Sequence, residues 1–166
     1  RQERHASRQV PSWLIFDVRQ RKGLRTSVEI RVLKAGDEGA LEKVDRDVFD
    51  HEVVRELVGE FLRDPRHHIV VAVSDGIVVG FASAVSYVHP DKKQQLWINE
   101  VSVAEPFRQR GIGKALMKSL FEVGKELGCE VAWVGTEHSN APAIALYSSL
   151  KECGPPSDFV MFEFKL

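Results

Sequence analysis

The residues with the most evident chemistry run from an apolar strand through a turn into a helix: Val101-Ser102-Val103-Ala104-Glu105-Pro106-Phe107-Arg108-Gln109-Arg110-Gly111-Ile112-Gly113-Lys114. Gly111 and Gly113 remove side chains where a backbone must approach a partner closely. The N–H groups of a helix start carry partial positive charge, and Arg108, Arg110 and Lys114 add full charges. That combination favours a phosphate or pyrophosphate. Spacing excludes two other phosphate loops. A Walker loop needs glycine where Arg108 stands and Ser or Thr where Ala115 stands. A dinucleotide fingerprint needs a small residue where Leu116 stands. Taken alone, a Gly-x-Gly pair can also do no more than start a helix.

The elements that must position this loop are legible from periodicity. Val28 to Leu33 alternates with period two and reads as the first strand. Gly36-Asp37 opens a helical stretch, and Val53, Val54, Leu57, Val58, Phe61 and Leu62 mark an amphipathic helix ended by Asp64-Pro65. His68–Ser74 and Ile77–Val88 are β-branched runs joined by Asp75-Gly76, a strong hairpin signal. Leu96–Ala104 follows as a strand. Ile112, Leu116, Leu120, Val123 and Leu127 then form one helix face, with Gly128 at the C-terminal cap position. Glu130–Thr136 reads as a strand, Asn140–Leu150 as a helix and Phe159–Leu166 as a last strand. Hairpins mixed with crossovers imply an α+β domain with a mixed sheet. A basic extension is expected over residues 1–27 and one domain over residues 28–166.

Arg108-x-x-Gly111-x-Gly113, placed between a strand and a helix, closely resembles the acetyl-coenzyme A signature of the GNAT superfamily of N-acetyltransferases. A second match is Asn140-x-x-Ala143-x-x-Leu146-Tyr147 in the next helix. The resemblance runs from about Val28 to Leu166. It implies a mostly antiparallel sheet with a V-shaped splay between the fourth and fifth strands (Leu96–Ala104 and Glu130–Thr136), flanked by about four helices. It further implies acetyl-CoA as co-substrate. The backbone of Gln109, Arg110, Gly111, Ile112, Gly113 and Lys114, with Arg108, is expected to hold the pyrophosphate. Val101, Ser102 and Val103 would pair with the pantetheine arm as an added strand. Asn140, Ala143 and Tyr147 would line the cofactor side of the late helix, Tyr147 as the acid that protonates the departing thiolate.

An amine acceptor with a lysine-like pKa of about 10.4 is mostly ammonium at neutral pH, and only the neutral amine attacks a thioester. A base must take that proton. Glu100 is the candidate, a carboxylate in a strand otherwise built for burial. Its structural alternative is an ion pair with an arginine or a role at a strand bulge. Within the superfamily, Glu100 before Val101-Ser102-Val103, Ala141–Tyr147 and Val160–Phe164 are similar to the small aminoglycoside 3-N-acetyltransferases. The segment Lys151–Pro156, where many members carry Gly-Phe, departs from that pattern on the acceptor side. Asp50 and Glu52 (with Asp47), Asp91, Glu137 and Asp158 are candidate acceptor-binding acids for a polycationic sugar. Any one of them could equally belong to a solvated face. A polyamine, another small amine or a peptide amine is the alternative acceptor. A non-catalytic acetyl-CoA sensor would need neither Glu100 nor Tyr147.

Composition bounds the rest. The 166 residues are 43% hydrophobic and 28% charged, which suits a globular chain that can bury a core. Seven basic and two acidic side chains lie in residues 1–27, yet the whole chain has a net charge of −1. Nucleic-acid binding would therefore rest on that extension alone, and no nucleic-acid partner is expected. No apolar run is long enough for a transmembrane helix, so no membrane partner is expected either. Cys129 and Cys153 form neither a disulfide framework nor a metal-ligand spacing and suit a reducing cytoplasm. His51, His67, His68 and His138 show no ligand-pair spacing, so no metal is expected. Trp97 and Trp133 read as core residues in strands. The expected assembly is a homodimer.

Overall fold

A computed structural model describes residues 13–19, 25–151 and 153–166. It divides into two compact units, one ending at Gly135 and one spanning Thr136–Leu166. In the first unit the described residues form a six-stranded sheet in sequence order. The strands are β1 (Trp13–Arg19), β2 (Arg25–Leu33), β3 (His67–Ser74), β4 (Ile77–Tyr87), β5 (Gln95–Val103) and β6 (Val131–Val134). Each neighbour pairs antiparallel except β5 and β6, which run parallel. Three α-helices accompany them: α1 (Arg55–Arg63), α2 (Ile112–Glu126) and, in the second unit, α3 (Ala141–Ser148). Short 3₁₀ helices occupy Glu38–Leu41 and Glu105–Phe107.

Local chemistry explains the sharpest boundaries. Asp75 and Gly76 both take positive φ, 50° and 76°, the twist that a two-residue hairpin demands. Helix α2 ends in a Schellman motif. Gly128 has φ of 76°, its N–H donates to the Lys125 carbonyl at 3.0 Å, and the Cys129 N–H donates to the Gly124 carbonyl at 2.9 Å. Helix α3 starts where Asn140 Oδ1 accepts the Ala143 N–H at 3.2 Å, with a proline in its first turn.

The sheet buries both faces. Helix α2 lies across β2 to β5, and Leu116, Met117 and Leu120 are fully buried there. On the opposite face Leu33, Ile69, Val71 and Phe81 form a core with Leu41, Val48, Val58 and Leu62 from the segment between β2 and β3. Phe49 stacks on Phe81 with ring centroids 4.0 Å apart and anchors that segment.

Two expectations need correction. Strand pairing begins at Trp13, ahead of Val28, because β1 pairs with β2 from Trp13↔Arg31 to Arg19↔Arg25. Its run Trp13–Phe16 lacks clean alternation, so its strand character is set by the partner's register rather than by its own pattern. Of the expected basic extension, residues 1–12 and 20–24 lie outside the described residues. Phe159–Leu166 forms no strand. It is irregular, with Phe159, Val160, Met161, Phe162, Phe164 and Leu166 all exposed. A β-rich composition supplies side chains for a sheet face, but a strand exists only where another backbone accepts its hydrogen bonds.

Candidate active site

The site begins with an irregularity in β5. Ile98 pairs with Ala84 and Glu100 with Ser83, so Asn99 is an extra residue on the β5 side. Before the bulge, Leu96 and Ile98 are buried on the face that packs against α2, and Leu96 touches the α2 glycine Gly124. Unbroken alternation would send Glu100 to that same face. The bulge reverses the parity. Glu100 and Ser102 pair with Ser83 and Phe81 and share the face on which Phe49 stacks. Glu100 is half-buried, and burial pushes its carboxyl above the ordinary carboxylate value, with the neighbouring negative charge of Asp50 adding to the shift. Among the described residues it makes no ion pair.

The β5–β6 ladder runs only from Gln95↔Val131 to Ile98↔Val134. Past Ile98, the β5 backbone keeps its β4 partners and has no β6 partner, which is the splay expected between these two strands. Val101, Ser102 and Val103 lie in this open stretch and are half-buried. Close packing of β4 holds them: a Cβ on Gly80 would stand 2.9 Å from the Ser102 carbonyl oxygen.

The chain then turns into the loop. Arg108 Nε donates to the Val103 carbonyl at 2.8 Å and ties the loop to the strand end. Gln109 and Gly111 both adopt left-handed backbone, φ of 59° and 82°. Such alternating turns gather successive N–H groups into an anion-binding concavity. Gly111 caps α2 without any side-chain hydrogen bond, and a Cβ there would meet nothing within 4 Å. Arg110 stacks over Phe107 at 5.4 Å, and its buried Nη1 has no hydrogen-bond partner among the described residues. Ile112 is buried, Gly113 half-buried and Lys114 exposed. An unpartnered guanidinium nitrogen, an uncapped helix start and a side-chain-free approach at Gly111 together fit the pyrophosphate of coenzyme A.

A cavity of about 660 Å³ opens in the segment before and along α1. Asp50 and Glu52, two of the candidate acceptor-binding acids, line it together with Glu38, Glu42 and Asp45, which the sequence did not single out. Arg55 donates to Glu42 at 2.7 Å on its lining. Asp47 and Asp91 are not among its lining residues. Asp47 pairs with Arg46 at 3.5 Å, and Asp91 stands exposed in the 88–94 loop.

In the second unit, Asn140 caps α3, Ala143 supplies the capped N–H, and Tyr147 is half-buried. Burial pushes the Tyr147 phenol above its ordinary pKa, which keeps it protonated at neutral pH. Glu137 accepts from Ser139 Oγ at 3.1 Å, and His138 and Asp158 approach to 3.1 Å, both highly exposed.

Cys129 and Cys153 are free thiols. Among the described residues no group of His, Cys, Asp and Glu could hold a metal ion, and no helix is long and apolar enough to cross a membrane.

Comparisons agree with this geometry. Over 84 residues the chain is 38% identical to streptothricin acetyltransferase of Streptomyces lavendulae, a stretch equal to 51% of this chain and 42% of that protein. The aligned stretch thus spans less than half of that relative. An aminoglycoside acetyltransferase from an uncultured soil metagenomic sample, solved with sisomicin, superposes with a TM-score of 0.74 at 18% identity, covering 84% of this chain and 96% of that one. The aminoglycoside N-acetyltransferase AAC(6')-Iy, solved with CoA, gives a TM-score of 0.67 at 21% identity, covering 84% and 95%. At these identities both speak for the fold. The acetyltransferase (GNAT) family model matches residues 37–154, from the turn after β2 through the loop, the splay and α3. The chain belongs to the acetyltransferase (GNAT) family.

Proposed function

We propose that this chain is an acetyl-CoA-dependent N-acetyltransferase for a cationic primary amine of the aminoglycoside class, acting on a 3-amino group. The observation that carries this reading is the Asn99 bulge. It turns Glu100, a carboxylate that resists ionisation, onto the face where Asp50 and the acid-lined cavity lie. Bound acetyl-CoA supplies the activated acetyl thioester. The loop from Arg108 to Lys114 holds its pyrophosphate, and Val101 to Val103 offer backbone groups to its arm. The acidic cavity gathers the polycation and raises its local concentration. Glu100 takes a proton from the acceptor ammonium, and Tyr147 holds a proton for the departing sulfur.

A second reading, in which the acceptor amine belongs to a streptothricin, draws on the 38% identity over 84 residues. A screen that follows thiol release from acetyl-CoA separates the readings. It should include aminoglycosides with and without a free 3-amino group, streptothricin, spermidine and lysine peptides. Turnover of aminoglycosides only when the 3-amino group is free supports the first. Turnover of streptothricin alone replaces it with the second, and release with none of the amines removes both.

Tyr147→Phe is expected to lower turnover about tenfold to a hundredfold, at or below the usual range for general acid–base catalysis, because water can also protonate a thiolate. Acetyl-CoA affinity should stay within about twofold, since one hydroxyl is lost. Steady-state kinetics with calorimetric binding checks this; full turnover would make Tyr147 a packing residue.

A further inference from the structure

We propose that Gln95 is a positioning residue whose side-chain carbonyl clamps the closed end of the β5–β6 splay and thereby sets the opening that receives the cofactor's arm. The inference rests on the acetyltransferase reading above. Gln95 is only 9% exposed, and its Oε1 accepts two hydrogen bonds, from Tyr87 OH at 3.0 Å and from Trp133 Nε1 at 3.1 Å. Tyr87 lies on β4 and Trp133 on β6, so one oxygen of β5 joins three strands. Tyr87 is the direct cross-strand partner of Gln95, and Trp133 pairs with Trp97, two residues along, so all four belong to one face.

The clamp stands where it has leverage. The parallel β5–β6 ladder is four residue pairs long, and parallel pairing is the weaker kind. One further backbone bond, from the Glu130 N–H to the Gln94 carbonyl at 3.0 Å, closes the same end. β6 ends at Val134, level with Ile98, so whatever fixes β6 against β5 from Gln95 to Ile98 also fixes the point from which the unpaired β5 edge at Val101 to Val103 begins. The Trp133 side chain is 46% exposed, so burial does not hold its ring in place. The hydrogen bond to Gln95 does.

Gln95→Leu removes the acceptor at similar volume, whereas Gln95→Glu keeps an acceptor oxygen for both donors. Three readouts apply: calorimetric affinity for acetyl-CoA, the acceptor KM, and hydrogen exchange of the Trp133 indole N–H in the protein without cofactor, assigned by its loss in Trp133→Phe. In Gln95→Leu, acetyl-CoA affinity should fall about tenfold, the equivalent of one net hydrogen bond. Indole exchange should accelerate by a similar factor, and the acceptor KM should stay within twofold. Gln95→Glu should keep both affinity and indole protection. Unchanged affinity in Gln95→Leu, an equal loss in Gln95→Glu, or a parallel rise in acceptor KM would overturn the clamp. If Gln95→Leu does not fold, Trp133→Phe decides, because it removes a donor from an exposed ring: weaker acetyl-CoA binding supports the clamp and unchanged binding overturns it. Failure of the wild-type protein to bind acetyl-CoA would instead strike the acetyltransferase reading itself.

Discussion

Glu100→Gln is expected to reduce turnover about a hundredfold to ten-thousandfold, the range for losing a general base, while the folded protein becomes more heat-resistant at pH 8. The two effects share one cause. Burial, and secondarily the charge of Asp50, raises the Glu100 pKa above the ordinary carboxylate value. A carboxyl whose pKa is raised on folding stabilises the fold below its unfolded pKa, and that contribution disappears as pH rises through the folded pKa. Above its folded pKa the wild-type protein carries an ionised Glu100 that its surroundings disfavour, and Gln removes that burden. The melting-temperature gain should shrink toward pH 4, where the wild-type carboxyl is protonated. Activity has the opposite pH sense: the wild-type rate climbs as the carboxylate forms, and that acidic limb should be missing in the variant. Basic buffer should recover part of the rate by delivering neutral amine. A variant that keeps the limb and most of its rate would make Glu100 a bulge residue without a role in proton transfer. Asp50→Asn separates the two contributions to the shift, since it should move the limb to lower pH without abolishing it.

Gly111→Val is expected to weaken acetyl-CoA binding a hundredfold or more, the equivalent of two charge-assisted hydrogen bonds at about 1.5–3 kcal/mol each. The stabilisation of the native state by added acetyl-CoA should vanish at concentrations that stabilise the wild type. Two effects act together in this variant. The left-handed backbone at φ 82° is strained for any side chain, at roughly 1–2 kcal/mol per residue. A valine side chain would also stand in the space before the α2 N-terminus, where a Cβ meets no described residue within 4 Å beyond its own chain neighbours. Gly36→Ala isolates the strain. Gly36 has φ of 98° and equally open surroundings, but it lies in the turn after β2. That variant should lower the melting temperature yet keep the acetyl-CoA-dependent shift. If Gly111→Val retains the shift, the loop does not hold the pyrophosphate.

Much of this molecule is written in short stretches of chain. The Asp75-Gly76 hairpin, the Asn140 cap and the Gly128 termination of α2 each satisfy backbone groups within about six residues, so residue type and spacing suffice to place them. The Arg108–Gly113 loop is likewise local. Its charges, its glycines and the helix that follows are contiguous, and the structure adds the left-handed turn at Gln109 and the unpartnered Arg110 nitrogen. Other features belong to the sheet as a whole. Strand β1 lacks its own alternation and takes its register from β2, whereas Phe159–Leu166 has strand composition and no strand. In both, pairing depends on a backbone that is distant in sequence.

The site divides along the same line. That Glu100 lies in an apolar strand just ahead of a glycine-containing, basic loop is legible along the chain, because both features need only sequence neighbours. Which way Glu100 faces was decided by tertiary structure. Side chains alternate with period two, so the single extra residue at Asn99 reverses every side chain after it, and a bulge appears only when β4 supplies the register against which β5 is counted. The nearness of Asp50 to Glu100, the cavity shared by Glu38, Glu42, Asp45, Asp50 and Glu52, and the one oxygen of Gln95 that joins Tyr87 to Trp133 have the same origin. Each brings together residues from different elements, and no periodicity along one segment encodes a contact made by another.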